Sequence, residues 1–161
     1  MSYIATVGQE TLTLKIGTET HLFDSGADGD YIVVDNPNDD VVQTIGQNGN
    51  VIYTRNEQGR AVDLTLRVVN GSPADIFLIN AGNQALSAMD NDVASFKFIG
   101  ATITTFKSDG TSTKKITLQL INGVISKTPN WTVNAEGNAS EAIHEYSLKF
   151  IKDNGRGWSI E

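Results

Sequence analysis

At 161 residues the chain has the length of one ordinary domain and can bury a substantial core, and 39% apolar with 19% charged content excludes a disordered protein. A net charge of −7, with Lys114-Lys115 the only adjacent basic pair, argues against nucleic acid or an anionic membrane as a binding partner. The absence of cysteine excludes disulfides and thiolate metal sites.

Met1 to Glu10 has neither a basic nor an apolar signal region, and the longest apolar runs are too short to span a bilayer, so a soluble protein made inside a cell is expected. Strand signals then dominate. In Thr11 to Ile16, Leu12, Leu14 and Ile16 share one face, and His21 to Phe23 is placed to pair back onto it. Asp24 to Asp30 is turn chemistry. Tyr31 to Val34 is a short strand stopped before Pro37. Val41 to Ile45 and Val51 to Tyr53 flank Gly46-Gln47-Asn48-Gly49-Asn50 and read as a hairpin. A polar loop follows, Arg55-Asn56-Glu57-Gln58-Gly59-Arg60.

Ala61 to Val69 alternates cleanly, with Val62, Leu64, Leu66 and Val68 inward and Asp63, Thr65 and Arg67 outward. Ser72 then reads as an N-cap, with Pro73 at the first helical position and Asp75 three residues after the cap. The helix runs from about 72 to 89. Ile76, Phe77, Ile79, Leu86 and Met89 are its expected packing side, weakened in the middle by Gly82. Val93 to Phe106 and Thr113 to Val124 flank the turn signal Asp109-Gly110, with Ile116, Leu118 and Leu120 on one face of the second arm. Trp131 to Val133 is a short strand. Ala142 to Ile151 alternates again, with Tyr146, Leu148 and Phe150 in phase, and Gly155-Arg156-Gly157 is a flexible tail element. One domain spanning 1–161 is the simplest reading: a mainly β chain, an antiparallel sandwich or partly closed barrel with one flanking helix.

Chemistry is sparse. His144 is in phase with Tyr146 and Leu148, which marks a partly buried structural histidine, and no Gly-x-Ser-x-Gly turn supports a triad. Asp24, Asp28, Gly29 and Asp35 approach calcium-loop spacing, but Gly26 stands at the third ligand position and the last is Asp instead of Glu, so an acidic turn is the better reading. No phosphate-binding glycine loop occurs. Three sequons, at Asn70, Asn130 and Asn138, are chance matches without a secretory signal. No enzyme, cofactor or metal is expected.

The order from Thr44 to Leu78 resembles the tail tube proteins of contractile-tailed bacteriophages: the turn Thr44-Ile45-Gly46 to Gly49, the strand Val62-Asp63-Leu64-Thr65-Leu66-Arg67, then a helix opening at Ser72-Pro73. The likeness extends more loosely to Trp131 and the late strand ending at Phe150. The resemblance implies a structural subunit of the virion, assembled in the bacterial host cytoplasm. Six copies would form a ring, and rings would stack into a hollow tube within a contractile sheath. The implied partners are further copies of the chain, the sheath protein, baseplate and tail terminator proteins, and transiently the tape measure protein and DNA in the lumen, with no membrane. An acidic lumen would let DNA slide instead of retaining it. A tube of a type VI secretion system or contractile bacteriocin is the alternative, and a carbohydrate-binding β-sandwich is the second. Gly46, Gln47, Asn48, Gly49, Asn50, Arg55, Asn56, Glu57, Gln58 and Arg60 are candidate subunit-contact residues, and both loops read equally as solvated turns. Trp158 either folds back on its own domain or docks on a neighbour.

Overall fold

The computed structural model describes residues 4–5, 10–23, 31–108, 113–131, 135–137, 142–154 and 157–160. Among the described residues eleven strands run in the order β1 (Ile4–Ala5), β2 (Thr11–Ile16), β3 (Glu19–Phe23), β4 (Ile32–Asp35), β5 (Val41–Ile45), β6 (Val51–Arg55), β7 (Ala61–Val69), β8 (Ile99–Ser108), β9 (Thr113–Lys127), β10 (Ile143–Lys152) and β11 (Trp158–Ile160). The helix α1 (Pro73–Asn91) lies between β7 and β8, and short 3-10 turns occupy Glu57–Arg60 and Val93–Ser95.

The main sheet runs β3-β2-β8-β9-β10-β7-β4, with β1 added beside β8 and β11 beside β9. Its pairings are antiparallel, and the path ends at two edges, β3 and β4, without closing. This is the expected mainly β architecture with one helix, in its open, sandwich-like form. Alternation decides the core. Leu12 and Leu14 of β2, Val62, Leu64, Leu66 and Val68 of β7, Leu118 and Leu120 of β9, and Tyr146, Leu148 and Phe150 of β10 form one buried cluster with Leu78 of α1. Gly123 is required where β9 crosses Phe150, because a Cβ there would overlap the ring.

The opposite face of β7 and β10 is polar and matched in charge. Asp63 opposes Lys149, with Oδ1 and Nζ 3.4 Å apart; Arg67 opposes Glu145, and Thr65 opposes Ser147. Threonines continue this face across β2, β8 and β9, where Thr11, Thr104 and Thr117 lie in register.

Several expected elements shift. Val93 is not in a strand. Asp92 ends α1, Val93–Ser95 turns once, and β8 begins only at Ile99. Of the two readings of Trp158, the backbone takes the folded-back one, since Trp158–Ile160 pairs with Leu118, Thr117 and Ile116 of β9. Trp131 lies outside any strand. The Asp24–Asp30 segment, the Asp109-Gly110 turn, Thr132 and Val133 of the expected short strand, Asn138, and Gly155-Arg156 lie outside the described residues.

The largest correction concerns α1. Its inward side is Ala74, Asp75, Leu78, Ala81 and Gly82. Ile76, Ile79, Leu86 and Met89 point outward, each at least 40% exposed, and only Phe77 of the expected set reaches the core. The physical reason lies at the helix start. Asp75 has buried partners on β10, and their hydrogen bonds fix the rotation of the first turn. The larger apolar residues then fall on the other side.

Candidate assembly surface

The N-terminus of α1 is anchored by a buried polar cluster. Ser72 Oγ accepts from the Asp75 N–H at 3.3 Å, as an N-cap does. Asp75 itself is 1% exposed. Its Oδ1 accepts from Tyr146 Oη at 2.6 Å and lies 3.0 Å from His144 Nδ1, and its Oδ2 accepts from the Gly71 N–H at 2.9 Å. Burial by itself pushes this carboxyl up. The hydrogen bonds from Tyr146, Gly71 and His144, with the charge interaction of His144, outweigh it and hold the group below its ordinary 3.8. Burial and the Asp75 hydrogen bond push the Tyr146 phenol well above its ordinary 10.0. His144 is therefore the buried structural histidine expected, with the exposed Trp131 ring 5.5 Å away. The cluster holds helix to sheet. Among the described residues no group of three or more His, Asp or Glu side chains is arranged to hold a metal ion.

The other feature built by these segments is the β5–β6 hairpin, a two-stranded sheet of its own. Val41 pairs with Arg55 and Ile45 with Val51. The tip is closed by the Gly46 N–H donating to the Asn50 carbonyl at 2.8 Å and the Gly49 N–H to the Gly46 carbonyl at 3.0 Å. Gly49 has φ +81°, a conformation that favours glycine. Gln47, Asn48, Gly49 and Asn50 are exposed, and every residue of both strands is exposed. Val41, Val42, Ile45, Val51, Ile52 and Tyr53 are among them, distributed over both faces.

The base of this hairpin is held firmly. Asn56 donates from its backbone N–H to the Asp40 carbonyl at 2.8 Å and from Nδ2 to the Asp39 carbonyl at 2.9 Å. Its Oδ1 accepts from the Gln58 N–H, and Asn38 Nδ2 donates to the Gln58 carbonyl at 3.1 Å. Gly59 is buried so close to Asp39 and Asp40 that a Cβ would sit 2.7 Å from the Asp39 carbonyl oxygen. Arg60 Nη2 donates to the Lys152 carbonyl at 3.1 Å, and the buried Lys152 Nζ reaches Asp40 Oδ1 at 3.4 Å. The stretch from Arg55 to Arg60 is thus not a free loop. Asn56, Gln58 and Arg60 serve the clamp, while Arg55 and Glu57 stay exposed, 3.6 Å apart.

The candidate contact residues therefore divide into a tip, 46–50, and a base, 55–60. Trp158 belongs to neither. Its backbone folds back on β9 and its side chain remains 58% exposed. Sequence reading missed Asp39, Asp40 and Lys152. Lys152 had a signal, because it continues the buried phase of Tyr146, Leu148 and Phe150 by one step.

No family model matches the chain, and no curated protein matches it. Among solved structures, a chain in the sheath–tube complex of an extracellular contractile injection system, PVC, in its extended state, is similar at 16% identity over 98% of this chain and 91% of that one, with a TM-score of 0.48. A chain in the baseplate of the anti-feeding prophage (AFP) is similar at 12% identity over 100% of this chain and 97% of that one, with a TM-score of 0.47. Likeness at that level carries no weight for activity or partners, which have to be read from this chain's own geometry.

Proposed function

We propose that this protein is a self-assembling, non-enzymatic tube subunit of a contractile tail. Copies join into hexameric rings, rings stack into a hollow tube, and the tube lies inside a sheath and stands on a baseplate. In a phage this makes it a virion component through which DNA passes. The observation that carries the reading is the β5–β6 hairpin. A lone two-stranded ribbon is marginal in water. This one exposes large apolar side chains on both faces while its base is clamped by hydrogen bonds to Asp39 and Asp40 and by the buried Lys152. Such a device is stabilised by burial against another chain. The open edges β3 and β4 support the same reading, because joining copies removes edges that invite uncontrolled pairing. The polar face of β7 and β10 suits a lumen. Its matched pairs Asp63/Lys149 and Arg67/Glu145 would neither hold nor strongly repel a polyanion, so charge balance takes the place of an acidic lining.

Negative-stain electron microscopy of the purified protein tests this, with rings or tubes expected. The double variant Ile52→Asp/Tyr53→Lys changes only exposed hairpin residues. It should keep the wild-type unfolding free energy within about 0.5 kcal/mol and lose the particles. A wild type that stays monomeric at high concentration, or a variant that assembles normally, would count against the proposal.

A further inference from the structure

Four Asn-Gly pairs occur in the chain: Asn48-Gly49, Asn70-Gly71, Asn122-Gly123 and Asn154-Gly155. An asparagine before glycine holds an electrophile beside a nucleophile. The glycine backbone nitrogen, unhindered by a side chain, can attack the Asn Cγ. A new N–C bond forms, the bond from Cγ to the side-chain nitrogen breaks, and ammonia leaves a cyclic imide behind. Water then opens the imide at either carbonyl and gives aspartate or isoaspartate. The only co-reactant is water, so the fold decides which pair reacts. The glycine N–H must give up its proton, and the backbone must rotate to bring that nitrogen onto Cγ.

Two of the pairs are held against these steps. The Gly71 N–H donates to Oδ2 of the buried Asp75 at 2.9 Å, and ionising an amide against a carboxylate is opposed by like charge. The Asn70 N–H is itself tied to the Ala142 carbonyl at 2.7 Å. Gly123 is buried within β9, in register with Ile99 of β8 and against the Phe150 ring, so rotation there would drive backbone into packed atoms. The fourth pair ends on Gly155, outside the described residues. Asn48 is placed differently. It stands at the tip of the β5–β6 hairpin, exposed together with Gly49, after β5 has ended at Ile45 and before β6 begins at Val51. No atom lies within 4 Å of where a Gly49 Cβ would be. The Gly49 N–H donates to a neutral acceptor, the Gly46 carbonyl, at 3.0 Å.

We infer that Asn48 is a site of spontaneous deamidation through which free subunits lose the ability to assemble. Residues 41–54 carry no charged side chain, so the product carboxylate is the first charge on a hairpin whose apolar surface is to be buried against another copy. Isoaspartate does more. It routes the chain through the former side chain and adds a backbone carbon between Gly46 and Asn50, whose N–H···O bond closes the tip. The loss of assembly rests on the tube-subunit reading, whereas the site of reaction does not.

Purified protein kept in mildly alkaline buffer tests the site, with peptide mapping by mass spectrometry following the conversion at each pair. In the folded protein Asn48 should react faster than Asn70 and Asn122 by about tenfold. In concentrated urea the three should react at similar rates. Asn48 reacting no faster than the other two in the folded protein overturns the inference, and so does a tenfold lead that persists in urea, because the fold would not be its source. Partly aged protein is then brought to assemble, and particles are separated from the unassembled remainder. The Asn48 product should be enriched in the remainder by about tenfold. An equal share in both fractions overturns the loss of assembly. Fresh protein that forms no particles removes the tube reading, and the loss of assembly with it, while the rates in folded and unfolded protein still decide the site.

Discussion

Asp75 collects hydrogen bonds from a backbone amide, a phenol and an imidazole while being almost fully buried. Removing its charge leaves those donors with a weaker acceptor in a site that water does not reach, so Asp75→Asn should destabilise the fold by about 2–3 kcal/mol near neutral pH. The acid dependence follows from the direction of the shift. The folded state holds the carboxyl below 3.8, so near that pH the unfolded chain binds more protons. The contribution is intact above 3.8 and is lost as pH falls through the folded value. Urea unfolding across this range should show the gap between wild type and Asp75→Asn shrinking in acid; a gap independent of pH would show that charge is not what Asp75 contributes. At the alkaline end Tyr146 acts in the reverse sense. Its pKa is raised in the folded state, so stability declines once pH exceeds 10.0 and the unfolded phenol ionises first.

At the scale of elements, α1 shows how a few buried polar contacts override an apolar count. The inward face is small, and Gly82 sits within it with only Ile125 Cδ1 near, 3.7 Å from where a Cβ would be. That is ordinary contact distance, so Gly82→Ala should stabilise the protein by about 1 kcal/mol, through helix propensity and a little added packing. Thermal unfolding checks it, and a lowered midpoint would mean that a methyl group does not fit between the helix and Ile125. The strands are legible in the sequence, because period two needs only neighbouring residues: β2 and β7 begin and end where alternation places them. The helix start is equally legible from Ser72, Pro73 and Asp75. Its rotation is not, since that depends on Tyr146 and His144, about seventy residues away in sequence. The hairpin is legible as a hairpin, from Gly46 to Asn50 between two apolar runs. Its clamp is not, because Asp40 meets Lys152 only through the fold, and the polar loop 55–60 therefore reads as free. The pairing of Trp158 is hidden for the same reason: a three-residue strand has too little pattern to announce itself.

At the scale of the whole molecule, net charge and surface shape act against each other. Seven excess negative charges oppose the approach of every new copy, while exposed apolar groups on the hairpin favour it. Salt separates the two effects. The repulsion is long-ranged, reaching ~30 Å at about 0.01 M salt and ~10 Å at about 0.1 M. Apolar burial is not weakened by salt in this range. Assembly should therefore begin at lower protein concentration as salt rises from about 0.01 M to about 0.1 M, followed by light scattering and imaging of the same samples. Arg55→Glu should raise the threshold at low salt and converge toward wild type at high salt, because it adds repulsion at a segment that carries no acidic residue. If assembly instead weakened steadily with salt, ion pairs and not apolar burial would be holding the copies together, and the matched charges on β7 and β10 would be the first place to look for them.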